Sequence, residues 1–94
     1  MNIAAFQASV KAEAPPKQVG PALKALWHAA KGDWETAHNL VQSDKTEAAA
    51  WVHAYLHRVE GDLENARYWY DNAGRPEATE SLQKEWCQIA EALL

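Results

Sequence analysis

The chain has one cysteine, Cys87, so no internal disulfide can staple it, and a lone thiol fits a reducing compartment. It has no cluster of Lys or Arg. Nine basic side chains against thirteen acidic ones leave a formal charge of −4, which argues against a nucleic-acid partner, because backbone phosphates are held by clustered cations. No stretch approaches the roughly 20 apolar residues needed to cross a bilayer. The opening MNIAAFQASVKAEAPP lacks a basic leader and Gln7 breaks its apolar run, so it does not read as a secretory signal, and a cytoplasmic setting is the expectation. There is no phosphate-cradling glycine loop, nucleophile elbow or CxxC pair. Cys87 also lacks the neighbouring base or positive field that a catalytic thiolate needs. In so short a chain these absences favour binding over catalysis, with no cofactor expected.

What is present points to helix. Ala and other good helix formers dominate and β-branched residues are few. Ile3, Phe6 and Val10 recur at helical spacing, which predicts a short helix over about residues 2–12 within an N-terminal segment 1–14, ended by Pro15-Pro16. Gly20-Pro21 opens a second helix that stops at Gly32, and Asp33 caps the next, completing a hairpin over 20–42. A second hairpin over 45–74 begins near Thr46, bends at Gly61-Asp62 and ends at Gly74. A last helix over 77–94 carries Leu82, Trp86, Ile89 and Leu93 on one stripe. The expected fold is a single all-α domain: two stacked antiparallel hairpins with a flanking helix at each end.

The two hairpins are versions of one another. Sliding ALKALWHAAKGDWETAHNLVQ onto WVHAYLHRVEGDLENARYWYD matches Ala25 with Ala54, His28 with His57, Gly32-Asp33 with Gly61-Asp62, Glu35 with Glu64 and Ala37 with Ala66. A two-helix unit repeating about every thirty residues is the mark of a helical solenoid. Through GDWETA and GDLENA, the small residues Ala25 and Ala54, and Tyr70 and Ala73 on the second helix, the chain resembles the tetratricopeptide-repeat family and its Sel1-like relatives. The run WVHAYLHRVEGDLENARYWYDNAGRP is also similar to segments of small bacterial proteins of no assigned activity, which implies no function. The family resemblance implies a protein-interaction module whose first helices line a concave groove for a peptide. Two units fall short of the three or more that such stacks need, so the terminal helices must cover the open faces or a second copy must do so.

On the helix after Thr46, spacing separates three stripes. Val52, Leu56 and Val59 form an apolar one. Trp51, Tyr55 and Arg58 form the stripe that the resemblance would turn toward the groove, and these are side-chain types that often dominate interfaces. Core packing is the competing reading for the two aromatics. In RYWYDNAGRP three consecutive rings point three ways, so Tyr70 is expected inside, with Tyr68 or Trp69 marking a surface patch. Arg75 is read as complementing the preceding helix end or binding an anion.

The third stripe is His53, His57 and Glu60. Histidines at i and i+4 can chelate a transition metal, and a carboxylate one turn later could add a ligand, so a small metal or acid/base site is the alternative to the interaction module. A further protein ligand would have to come from His28, His38 or an acidic residue. The structural reading has the two imidazoles bonded to Asn65, Arg67 or Tyr68 across their own hairpin.

Overall fold

Six α-helices and no strand make up the computed structural model, which describes residues 1–94: α1 (Ile3–Ser9), α2 (Pro21–Ala30), α3 (Trp34–Val41), α4 (Glu47–Glu60), α5 (Leu63–Ala73) and α6 (Leu82–Leu93). Most starts are set by a side chain that accepts an otherwise unpaired backbone N–H. Asn2 caps α1 through Ala5, Asp33 caps α3 through Thr36, Thr46 caps α4 through Ala49, Asp62 caps α5 through Asn65 and Ser81 caps α6 through Lys84. Gly20 with Pro21 opens α2 without a side-chain cap.

The two inter-helix bends are built alike. Gly32 and Gly61 take left-handed φ of 80° and 85°, where a Cβ is disfavoured. The next amide then turns back: Asp33 donates to the His28 carbonyl at 3.0 Å and Asp62 to the His57 carbonyl at 2.9 Å. Each Asp then caps the returning helix. One Gly-Asp pair therefore ends one helix and starts the next at both places.

Two boundaries differ from the spacing-based expectation. α1 is regular only to Ser9, because the Ser9 hydroxyl donates to the Phe6 carbonyl at 2.6 Å and the chain continues to Ala12 in tighter i to i+3 turns. α6 begins at Leu82 rather than near Glu77. Ser81 competes as its cap, and Arg58 draws the Glu80 carbonyl into a hydrogen bond outside any helix.

α2 packs on α3 and α4 on α5, and α4 lies against both α2 and α3, so the second hairpin stacks on the first. α6 crosses α4 and α2, and α1 packs on α6. Fully buried Ala25, Ala37, Ala49 and Ala54 keep the contact surfaces small and let the helices approach. Around them Leu26, Leu56, Ile89 and Phe6 are buried completely, each contributing about 1.5–3 kcal/mol relative to exposure. Val59, at the end of the apolar stripe, is exposed instead. No helix is long and apolar enough to cross a membrane.

α6 is held by polar contacts as well as apolar ones. Trp86 stacks on Phe6 at 5.6 Å and its Nε1 donates to the Leu26 carbonyl at 2.8 Å. Glu85 is buried, accepting from Arg58 Nη1 at 2.9 Å and from the Tyr70 hydroxyl at 2.6 Å. Burial, and then the bond to the Glu85 carboxylate, push the Tyr70 phenol far above its ordinary range.

Candidate metal centre

The three imidazoles that meet in this molecule come from both hairpins. His53 and His57 lie one turn apart on α4. His38 reaches them from α3, where buried Ala37 and Val41 mark the inner face and His38 flanks it. One ring nitrogen from each of the three lies within 4.8 Å of the others. His38 Nε2 and His53 Nε2 are 3.0 Å apart, with their rings nearly perpendicular at 85°. His53 and His57 stack with centroids 4.9 Å apart.

Neighbouring side chains hold each ring. His38 stacks on Trp34, four residues earlier, at 4.7 Å and 10°, and Trp34 Nε1 is tied to the Leu56 carbonyl at 2.7 Å. His53 stacks on Trp69 of α5 at 3.9 Å. His57 Nδ1 pairs with Glu60 Oε1 at 2.7 Å, leaving Nε2 as its free nitrogen. His53 and His57 are buried, while His38 is half-buried and forms the solvent edge.

Protonation follows from this packing. Two nitrogens 3.0 Å apart share one proton between them. His53 Nδ1 is buried with no hydrogen-bond partner. Placing the shared proton on His53 Nε2, which then donates to His38 Nε2, orphans only a lone pair at Nδ1. The opposite tautomer would orphan an N–H at a cost of about 1–3 kcal/mol. Burial, and then the neighbouring His38 and His57, lower the His53 pKa from 6.5 to about 4. Burial also lowers that of His38, with His57 adding to the effect and Glu60 opposing it. Both rings are therefore neutral near pH 7, the form that carries a lone pair for a metal.

The spacing suits a tetrahedral ion. Zn–N bonds of about 2.0–2.1 Å give an N···N edge of about 3.3 Å, close to the separation of the two Nε2 atoms. The third nitrogen has to close by at most about 1.5 Å. Glu60 on Nδ1 of His57 is the carboxylate–histidine support that metal-bound imidazoles commonly have.

The imidazoles do not bond to Asn65, Arg67 or Tyr68, as the structural reading expected; their contacts are His38, Trp34, Trp69 and Glu60. Of the two candidate third histidines, His38 joins the pair, whereas His28 lies edge-on to Trp27. Of the groove stripe, Trp51 and Tyr55 are buried, and burial pushes the Tyr55 phenol up to about 12. Arg58 is engaged by Glu85 and the Glu80 carbonyl, so α6 covers this face. Tyr70 is interior, Tyr68 is 59% exposed and Trp69 is half-buried against His53. The Arg75 guanidinium lies over the Trp51 ring at 3.5 Å. Glu85 is the residue that spacing does not point to, and His38 is one of two candidate third histidines until its ring is placed against His53.

Compared with protein-family profiles, curated proteins and solved structures, the chain matches none.

Proposed function

We propose that this chain binds a transition-metal ion, Zn2+ foremost, through His38, His53 and His57 at the junction of its two hairpins, with Glu60 holding His57. The observation that carries the reading is the convergence of three ring nitrogens within 4.8 Å, supplied by two helices of different hairpins. Neutral imidazole suits Zn2+, Ni2+, Co2+ and Cu2+, whereas Mg2+ and Ca2+ prefer oxygen donors. Native mass spectrometry of the intact chain tests the proposal. It should gain the mass of one ion from dilute Zn2+, Co2+ or Ni2+ and none from Mg2+ or Ca2+, and the gain should vanish in His53→Ala with His57→Ala. Equal uptake of Mg2+, or uptake that survives loss of both histidines, would retire it.

A second reading keeps the chain as a protein-interaction module, and the way α6 lies on α2 and α4 favours it. Trp86, Ile89 and Ala90 are buried there as they would be on a helix seated in a groove. The ligand class is then an amphipathic helix, presented in this chain by its own C-terminal segment. Loosening α6 with Trp86→Ala should raise the affinity of the full chain for a synthetic peptide of residues 80–94. Unchanged affinity would remove this reading.

A further inference from the structure

The metal reading leaves open whether the ion would be sealed inside the protein or exposed to exchange, and the donors decide this. The close group contains His38, His53 and His57 and no fourth His, Cys, Asp or Glu. Glu60 is the nearest carboxylate by sequence, but its oxygen is 2.7 Å from Nδ1 of His57. The two nitrogens of an imidazole point away from each other across the ring. A carboxylate bonded to one nitrogen of the ring supports it, and the Glu60 oxygens are not part of the three-histidine set. Asp62 groups with His57 and Glu60 and is not part of the three-histidine set. Cys87 belongs to α6, where its Sγ accepts from Gln7 Nε2 at 3.3 Å. The protein's own titratable side chains thus offer three ligands, one short of the four that close a structural zinc site.

Charge points the same way. Imidazole ligands bring no negative charge, so a divalent ion keeps its full +2 at the site, in a junction where two of the rings are buried. Glu60 is the nearby counter-charge, and it acts through the ring. An anion in the remaining position is therefore favoured over a neutral donor. His38 is half-buried rather than buried and the Glu60 side chain is 39% exposed, so the cluster is not sealed on the His38 side. Indoles stack on two of the rings, Trp34 on His38 and Trp69 on His53.

Resting on the proposed metal site, we infer that the ion held by His38, His53 and His57 keeps one exchangeable coordination position, taken by water or by a small monodentate anion such as hydroxide, azide or acetate. The site is a Lewis-acid centre with an open face rather than a clip that locks the hairpins together. Three-histidine zinc with a fourth water position has this character in general, since the ion acidifies the water and accepts competing anions.

The test uses the full chain loaded with Co2+, whose visible absorption reports the ligand set. Titration with sodium azide should shift the bands and saturate, and acetate should shift them in the same sense more weakly. If Co2+ does not bind, the metal reading fails and takes this inference with it. If Co2+ binds and neither anion moves the spectrum, the metal reading stands and the open position is refuted.

Discussion

Glu85 offers a quantitative test of how α6 is held. Its carboxylate is 1% exposed and accepts from both Arg58 and the Tyr70 hydroxyl. Glu85→Ala removes both acceptors together. Breaking a buried ion pair by deleting one partner costs about 3–5 kcal/mol, and an orphaned buried hydroxyl adds about 1–3 kcal/mol. The Arg58 side chain is 16% exposed and keeps its bond to the Glu80 carbonyl, so the low end of each range applies. The expected loss is about 4 kcal/mol. At about 0.05–0.15 kcal/mol per residue, the whole chain is stable by roughly 5–14 kcal/mol, so the variant should be marginal but foldable. Glu85→Gln, which keeps an oxygen for Tyr70 without the charge, should lose about half as much. Joint replacement by Arg58→Met and Glu85→Leu should recover most of the loss, because a buried pair is often matched by apolar packing of similar volume. Urea unfolding followed by far-ultraviolet circular dichroism gives each value from the midpoint at constant slope. A loss below about 1 kcal/mol for Glu85→Ala, or a double variant no better than the single one, would refute the reasoning.

Other outcomes follow from the bends and the imidazole junction. Because burial lowers the His53 pKa from 6.5 to about 4, the folded metal-free chain resists a proton that the unfolded chain accepts. The associated stability is present above pH 6.5 and is lost as pH falls toward 4, by at most about 3 kcal/mol; urea midpoints at pH 7 and pH 5 measure it, and His53→Phe should flatten the difference. At Gly32 and Gly61 an added Cβ meets no atom within 4 Å, so an alanine suffers only the left-handed backbone. Each substitution should cost about 1 kcal/mol, and thermal unfolding giving markedly unequal costs would contradict the equivalence of the two bends.

Sequence spacing was enough to place both hairpins, because their ends are marked by local chemistry. Gly32-Asp33, Gly61-Asp62, Thr46 and Gly74 each act within a few residues of where they stand. The start of α6 was not legible, since EATES after Pro76 looks compatible with helix. What draws that segment out is Arg58, some twenty residues earlier, reaching the Glu80 carbonyl. Glu85 was hidden for a related reason: a glutamate in a helix reads as solvated unless its partners Arg58 and Tyr70 are already known to face it. The His53 and His57 pair was visible from its i, i+4 spacing. His38 became distinguishable from His28 only once α3, rather than α2, was seen to carry its histidine to that stripe. Periodicity reports which residues share a face, but the crossing of two helices decides which faces meet.

Calorimetric titration of Zn2+ into the purified chain and its His38→Ala variant tests the central claim most directly. Metal binding must move the proton of His53 onto the unpartnered Nδ1, so affinity should fall short of a fully supported site, with a dissociation constant in the micromolar range, about −8 kcal/mol. The account predicts a single site per chain, weakened at least about tenfold in His38→Ala while the helical signal is retained. Absence of binding by the unaltered chain, or equal binding by the variant, would contradict it.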